Sequence, residues 1–279
     1  MMTAKDKNKA YELIENALEK RKELLENKDD SIRNYFKSEA PPVLWFGDLN
    51  AEKPKVVVIS ANPNNPHEEG RIIPEGSSWD EKNPKIENLI DAYNNYFNTK
   101  PKTTWFGKKV SDIKQGRIED FLKGLGASFY DRGDDYDQAI HIDLLPFATV
   151  SPFKTIADEL MEIDGLREFI NEHISELIKL INPKLVIVNG VTNKNYFEKC
   201  LKVKASKKPE IYESFTVDNK NKFNLTIWDF DNIKDFKWDF DNIKDFKVIA
   251  ISRNMGTSCC VSKESLYSIA EQERKRLKL

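Results

Sequence analysis

The chain has 279 residues, of which 39% are hydrophobic and 32% charged, and its formal net charge is −2. This length and apolar content predict one large α/β domain with a substantial core. The near-neutral charge excludes a uniformly basic nucleic-acid-binding protein, although it is compatible with a local basic cleft.

Cysteine and histidine are too sparse for the common metal centres. The chain has three of each and no C-x-x-C pair, which is too few for an iron–sulfur cluster or an all-cysteine zinc site. We therefore expect no metal and no cofactor. No apolar run approaches the roughly 18 residues of a membrane span, and the first residues lack the apolar stretch of a secretory signal. We predict a cytoplasmic protein with no membrane partner.

The N-terminal part of the chain has helical periodicity. Apolar residues recur at helical spacing among many charges over residues 5–28, and a short second helix follows over Ser31–Phe36. We predict that residues 1–40 form a helical segment packed on the main α/β domain, which spans residues 41–279.

The first core strand is predicted around Val56–Ile59. Four consecutive β-branched residues without alternation are typical of a strand buried on both faces of a parallel sheet. The strand ends at Ser60-Ala61-Asn62-Pro63, where proline stops the ladder and leaves Asn62 at the carboxyl end. Open α/β sheets bind ligands at that edge, although an ordinary strand followed by a polar turn has the same pattern.

A long polar segment follows the first strand, over residues 67–84. Loops longer than about 15 residues are uncommon in compact domains and are often functional, so we expect this one to wall a pocket near Asn62. The aromatic candidates for either this pocket or the core are Trp79, Trp105 and Phe106.

The remaining pattern is a regular alternation of strands and helices. Three further core strands are predicted at Ala139–Pro146, Lys184–Gly190 and Phe246–Ser252. Helices are predicted at Ile86–Phe97, Arg117–Leu125, Thr155–Ile181 with a bend at Gly165, Thr192–Cys200 with Thr192 as N-cap, and Lys263–Leu277. A hairpin is predicted from Ile211–Val217 and Phe223–Trp228. This order predicts a doubly wound, mainly parallel four-stranded sheet with flanking helices, an N-terminal helix and a β-hairpin insertion.

One internal repeat is present. The ten residues Trp228–Lys237 recur unchanged as Trp238–Lys247. A solenoid needs about three units, so we interpret residues 228–247 as a tandem duplication in a surface loop, where added length costs little. A role in dimerisation or DNA contact has no support in the sequence.

The strand-end turns resemble those of the uracil-DNA glycosylase superfamily over about residues 43–265. The family's mismatch-specific and single-strand-selective branches end the first strand in G-x-N-P-G, and Ser60-Ala61-Asn62-Pro63-Asn64 is similar. The family's base-reading N-x-C-P motif is matched by Asp143-Leu144-Leu145-Pro146, its P-K-V-I-x-x-x-G strand by Pro183–Gly190, and its last motif, H-P-S-P or N-P-S-G, by Ser252-Arg253-Asn254-Met255.

The chain departs from the family pattern at defined places. Ser60 and Asn64 replace both glycines of the first motif, and the last motif lacks the prolines and the histidine. Either Ser252 or Arg253 stands in the place of that histidine. The cysteines of the cluster-containing branches are absent from the sequence, which excludes those branches.

The resemblance implies a role for each matched residue. Asn62 would position the attacking water, because an amide is a poor base. The target base would be flipped out of the DNA, and Met255 is the candidate for an apolar wedge that fills the gap, although a buried methionine fits the sequence equally well. The implied substrate-binding residues are Ser60, Ala61, Pro63, Asn64, His67, Ser252, Arg253, Asn254 and Met255.

Asp143 stands where the family has an asparagine that reads uracil. An ionised carboxylate accepts hydrogen bonds and would repel uracil O4, whereas it suits the N4 amino group of cytosine. A protonated Asp143 could donate to the base and help it leave. We therefore predict a modified, cytosine-like base, with a turn acid or helix N-cap as the alternative for Asp143. His141 shares the strand face of Asp143 by two-residue spacing but lies deeper, as a predicted core histidine.

The sequence thus predicts a monofunctional DNA glycosylase that leaves an abasic site, in DNA repair or in defence against phage or other foreign modified DNA. A non-catalytic reader of nucleic acid is the main alternative. A different α/β hydrolase or nucleotide-binding enzyme is a third, although no P-loop, G-x-G-x-x-G or G-x-S-x-G occurs in a suitable context. The candidates for phosphate contacts are Arg253, Lys108, Lys109 and the Lys202–Lys208 cluster.

Overall fold

A computed structural model describes the chain over residues 3–38, 40–53, 55–63, 85–98, 117–130, 133–216, 222–230, 246–255 and 261–279. The helices in these ranges are α1 (Ala4–Leu25), α2 (Asp30–Arg33), α3 (Ile86–Asn95), α4 (Ile118–Leu125), α5 (Phe153–Met161), α6 (Leu166–Ile181), α7 (Val191–Leu201) and α8 (Lys263–Leu277). The strands are β1 (Trp45–Phe46), β2 (Lys55–Ser60), β3 (Ala127–Ser128), β4 (Asp137–Asp143), β5 (Leu185–Asn189), β6 (Glu210–Phe215), β7 (Lys222–Asp229) and β8 (Lys247–Ile251).

The described strands form one mixed sheet of eight. The four predicted core strands lie side by side and parallel, in the order β4-β2-β5-β8. β3 adds a short parallel pair to β4, whereas β1 pairs with β4 in antiparallel fashion. The predicted hairpin is formed by β6 and β7, and it continues the sheet because β7 pairs antiparallel with β8.

The predicted strand count was wrong. The sequence predicts four sheet strands plus a separate hairpin, but the described sheet has eight strands. Two of the extra strands, β1 and β3, are two residues long and carry no readable alternation. The other two are the hairpin strands, whose antiparallel pairing with β8 is a long-range contact.

The sheet interior explains the unbroken apolar runs. All five residues of β5 are buried, as are the last five of β2. Parallel strands covered on both faces need apolar residues at every position rather than at alternate ones. The chain passes from β2 to β4 on one side and later to β5 on the other. This reversal creates a crevice at the carboxyl ends of β2 and β5, where open sheets bind ligands.

The helix predicted over Thr155–Ile181 is two helices in the structure. Gly165 precedes α6 with a φ of 69°, a left-handed conformation that glycine adopts without a steric penalty and that interrupts a continuous helix. The predicted N-cap Thr192 was also wrong, because α7 begins one residue earlier, at Val191, with Gly190 as its N-cap.

The N-terminal helix is part of the same hydrophobic core as the sheet. Its buried side chains include Ala10, Leu13 and Ile14, and the helix begins with a capping box between Thr3 and Asp6. Arg21 is buried and donates from Nε to the backbone oxygen of Ala40 at 2.8 Å. The helix is therefore held by apolar burial and by a hydrogen bond to the segment that leads into β1.

Helices α4 and α8 approach closely at Gly124. A Cβ placed there would lie 2.4 Å from the backbone oxygen of Tyr267 and 2.6 Å from the Cβ of Ala270. We expect Gly124→Val to lower the free energy of unfolding by about 1–3 kcal/mol or more, because the helices must separate. Urea unfolding measures this, with Lys123→Ala on the same helix as control. Equal stability of Gly124→Val and wild type would contradict the close approach.

The duplicated segment connects β7 to β8 at the amino edge of the parallel core. Trp228 and Asp229 belong to β7, and the backbone nitrogen of Phe230 donates to the oxygen of Val248 at 3.0 Å. Residues 231–245 lie outside the described residues. Since β8 begins at the amino edge, both ends of this connection lie opposite the strand ends that carry Asn62 and Asp143.

Deletion of residues 238–247 tests the loop interpretation of the repeat. It joins Lys237 to Val248, so Val248 of β8 still follows a Phe-Lys pair, as it does in the full chain. We expect the free energy of unfolding to change by about 1 kcal/mol or less, because loop closure depends only weakly on length. Denaturant unfolding and light scattering measure the outcome. A loss of several kcal/mol, or a change of oligomeric state, would show that the second copy has a structural role.

Candidate functional site

Three buried polar residues end adjacent strands of the parallel core. They are Ser60 on β2, Asp143 on β4 and Asn189 on β5, and each is at most 3% exposed. Ser60 lies opposite Asp143 in the parallel register, and Ile59 lies opposite Val188, so all three side chains point to one face of the sheet. Buried polar groups are unfavourable unless they are hydrogen-bonded, which makes this row the most informative feature of the sheet.

The first two motifs are joined by backbone hydrogen bonds beyond the strand ends. The nitrogen of Leu144 donates to the oxygen of Ser60 at 2.9 Å, and that of Leu145 donates to the oxygen of Ala61 at 3.0 Å. The predicted water-positioning turn and the predicted base-reading turn are therefore adjacent. The hydroxyl of Ser60 is buried and has no hydrogen-bond partner among the described residues.

The side-chain amide of Asn62 has a fixed orientation. Its Nδ2 donates to Thr149 Oγ1 at 2.9 Å and to the backbone oxygens of Phe147 and Pro63, each at 3.3 Å. Because a backbone oxygen only accepts, the nitrogen must face this turn and Oδ1 must point away from it. No described residue donates to Oδ1, so this oxygen is available to accept a hydrogen bond from a bound molecule.

Asp143 is paired with His141. The Nε2 of His141 lies 3.1 Å from Asp143 Oδ1, and both side chains are buried. The imidazole stacks on Phe46 with ring centroids 6.0 Å apart, and the ring of Phe129 meets it edge-on at 6.3 Å. These rings hold the histidine, and the histidine holds one oxygen of the carboxyl group. Within the described residues no lysine or arginine forms an ion pair with Asp143.

His141 is a core residue, as predicted, but its contact with Asp143 was missed. The signal was present in the sequence as the spacing His-x-Asp on a predicted strand, which places the two side chains on one face.

The last motif is tied to the sheet by Asn189. Asn189 Oδ1 accepts from the backbone nitrogen of Met255 at 2.9 Å, and its Nδ2 donates to Asn254 Oδ1 at 3.3 Å. Gly190 also lies against Asn254, since a Cβ at this glycine would be 3.2 Å from the Cβ of Asn254. Sequence reasoning missed Asn189, although a polar residue at the end of a wholly apolar strand was a signal.

Two residues of the last motif differ from their predicted roles. Met255 is 0% exposed, so the buried-methionine interpretation is the one found and the wedge interpretation is wrong. The side chain of Ser252 is hydrogen-bonded to β7, because its Oγ accepts from the backbone nitrogen of Thr226 at 2.9 Å. Arg253 and Asn254 are exposed.

No protein-family model matches the chain, and no curated protein matches it in sequence. Among the described residues, no group of three His, Cys, Asp or Glu side chains is placed to hold a metal ion, and no helix is long and apolar enough to cross a membrane.

Several candidates lie outside the described residues or away from the site. Outside the described residues are Asn64, His67, the 67–84 loop, Trp79, Trp105, Phe106, Lys108 and Lys109. The Lys202–Lys208 cluster follows α7 at the amino edge, where the nitrogen of Ser206 donates to the oxygen of Asp229 at 2.7 Å. That cluster lies on the opposite edge of the sheet from Asn62, away from the strand-end row.

His173 is a structural residue. It is buried on α6 and stacks on Phe169 with ring centroids 5.7 Å apart. Burial lowers the pKa of His173 to about 3, which keeps the imidazole neutral at physiological pH. It is on a different element from the polar row and makes no hydrogen bond to it.

A cavity of about 430 Å³ lies at the amino edge. Two of the polar side chains that line it are used within the fold: Asn94 Oδ1 accepts from Trp45 Nε1 at 3.0 Å, and Gln138 Nε2 donates to the oxygen of Ala139 at 2.9 Å. The opposite edge of the sheet carries the strand-end row, including the unpartnered hydroxyl of Ser60, and beside it the Asn62 turn that the sequence singled out, so we take that edge as the candidate site.

Proposed function

We propose that this protein is a DNA glycosylase that hydrolyses the N-glycosidic bond of a flipped-out, cytosine-like base and leaves an abasic site. The observation that carries this proposal is the joining of the Asn62 turn to the Asp143 turn at one strand edge, through Leu144 and Leu145. The proposal gives the first turn the role of holding water and the second the role of reading the base, and these two turns are neighbours along the strand edge.

The orientation of Asn62 supports its role toward water. Oδ1 can accept a hydrogen bond from a water molecule and direct the lone pair of that water at the anomeric carbon. The carbon–nitrogen bond breaks with its electron pair on the base, and the water oxygen bonds to the sugar carbon. The proton that the water loses goes, directly or through solvent, to the departing base, which leaves as the neutral free base. The sugar carries positive charge as the bond breaks, so positioning contributes more than basicity.

The environment of Asp143 supports a base with a hydrogen-bond donor. His141 engages one carboxyl oxygen, which leaves the other for a ligand. The neighbouring hydroxyl of Ser60 is a buried donor that no described residue satisfies. An acceptor beside a donor complements the N4 amino group and the N3 acceptor of cytosine, whereas uracil has the opposite pattern at these atoms.

The protein's setting is proposed to be DNA repair or defence against foreign DNA that carries modified bases. In both settings the enzyme would remove a modified cytosine that still pairs as ordinary cytosine does. The same pocket chemistry would therefore serve both.

A strand-cleavage assay tests the proposal. Wild-type protein is incubated with duplex and single-stranded oligonucleotides that carry one uracil, cytosine or 5-substituted cytosine, and alkali converts abasic sites into breaks. We expect breaks at a cytosine derivative. Breaks at uracil alone would keep the glycosylase and reject the base-reading role of Asp143. Absence of breaks on every substrate would reject the glycosylase, whether or not the protein binds DNA.

A non-catalytic reader of modified nucleic acid is the second candidate. It is favoured by the last motif, which lacks the family's histidine and in which Ser252, one of the two residues that stand in its place, accepts through Oγ from the backbone of β7. Tight, salt-sensitive binding without breaks would support this alternative.

A further inference from the structure

An exposed valine lies one residue from the partner of Asn62. Val150 is 61% exposed and follows Thr149, whose Oγ1 accepts from Asn62 Nδ2 at 2.9 Å. Large apolar side chains are rarely exposed in the described residues; those that are exposed are Val150, Val191, Ile211 and Tyr267. A single exposed apolar residue is ordinary, so its rigidity and position decide whether it matters.

The backbone around Val150 is held in place. Its nitrogen donates to the oxygen of Tyr35 at 2.9 Å, and the nitrogen of Lys37 donates to the oxygen of Ala148 at 3.0 Å. The hydroxyl of Thr149 donates to the oxygen of Ser151 at 2.6 Å. The turn cannot fold back to bury the valine without breaking these bonds, so the side chain is presented outward from a rigid support.

Aromatic contacts of Phe147 hold this turn in place. Phe147 meets Phe36 edge-on with ring centroids 6.2 Å apart and stacks on Phe169 at 5.5 Å. The turn is thus fixed to both the N-terminal segment and α6, at the edge of the sheet where the polar row lies.

We propose that Val150 is the apolar wedge that occupies the base stack when the target nucleotide leaves it. The proposal rests on the proposed function, because a wedge is needed only where a base is flipped. Extrusion unstacks the neighbouring bases, and an inserted apolar side chain offsets that cost. Met255 cannot serve, since it is fully buried. Val191 is less exposed, at 41%, and has no comparable link to Asn62.

The test compares two equally exposed apolar residues. Val150→Ala removes the wedge, and Ile211→Ala, also at a 61% exposed position but on β6, is the matched control. Abasic-site formation is measured on duplex and single-stranded forms of the same oligonucleotide. In parallel, a 2-aminopurine next to the target reports unstacking by its fluorescence, without any chemistry.

We expect Val150→Ala to lower the rate on duplex by about tenfold or more, because unstacking a duplex base requires a few kcal/mol. The rate on the single strand should be unchanged, which also shows that the variant is folded. Val150→Leu should restore the duplex rate and the fluorescence increase, and Ile211→Ala should equal wild type on both substrates.

Other results would overturn the proposal. Equal duplex rates for Val150→Ala and wild type would reject the wedge and leave the glycosylase intact. Equal losses on both substrates, or a duplex-specific loss in Val191→Ala instead, would also reject it. If wild type forms no abasic sites, the proposed function fails. The wedge then still predicts a fluorescence increase with wild type that Val150→Ala lacks, and absence of that increase rejects the wedge as well.

Discussion

Asn62→Ala is expected to lower the rate of abasic-site formation by about a hundredfold or more, because a misplaced nucleophile of this kind loses that much rate. The change removes Oδ1, the oxygen that we propose holds the water, and leaves the backbone of the turn in place. DNA binding should be retained, since the amide side chain makes no contact that supports the sheet beyond the Phe147–Thr149 turn. Single-turnover kinetics and a binding titration separate the two effects.

Thr149→Val sharpens this test. It keeps Asn62 but removes the hydroxyl that accepts from its Nδ2 at 2.9 Å, so the amide loses one of the contacts that orient it. We expect an intermediate loss of about tenfold, consistent with one hydrogen bond of about 1 kcal/mol or slightly more.

The control for Asn62→Ala is Asn95→Ala on α3, which makes the same change at an asparagine away from the site. Full activity of Asn62→Ala on the wild-type substrate would remove Asn62 from the mechanism.

Asp143→Asn is expected to change which base is removed. An amide can donate to uracil O4 and accept from N3–H, whereas the carboxylate suits the amino group of cytosine. We expect the rate on the cytosine derivative to fall by roughly fivefold to 150-fold, the equivalent of about 1–3 kcal/mol of discrimination, while the rate on uracil rises. The ratio of the two rates on otherwise identical duplexes is the measurement.

Asp137→Asn is the matched control for Asp143→Asn. It makes the same chemical change on the same strand, but at the amino end of β4, where the carboxylate pairs with Lys184. Its ratio of rates should equal that of wild type. An unchanged ratio in Asp143→Asn would remove this carboxylate from base recognition and favour the interpretation as a turn acid.

The parallel core could be predicted from the sequence because its signals are local. Val56–Ile59 is a β-branched run that needs both faces covered, and the structure covers both. The last helix, Lys263–Leu277, has the predicted bounds, since Ser262 caps its first turn and the apolar spacing is regular. The adjacency of the Asn62 and Asp143 turns also follows from strand order, because carboxyl ends of parallel neighbours meet at one edge.

The parts that could not be predicted depend on contacts between distant residues. β1 and β3 are defined only by pairing with β4, and two residues carry no periodicity of their own. The position of Met255, which follows β8, depends on Asn189 at the end of β5, whose Oδ1 accepts from the backbone nitrogen of Met255. The outward position of Val150 depends on Tyr35 and Lys37 in the N-terminal segment. The sequence around a residue does not indicate which distant residues it will contact.

The hydrogen bond from Met255 to Asn189 has a consequence for how this chain can change. The bond uses the backbone nitrogen of Met255, which every residue except proline provides. This bond therefore does not itself depend on which side chain residue 255 carries, provided that the residue is not proline and that Asn189 stays. The prolines that the family carries in this motif lack that nitrogen at their own positions. An anchor of this kind lets an exposed side chain such as that of Arg253 be exchanged while the backbone at the strand edge keeps its position.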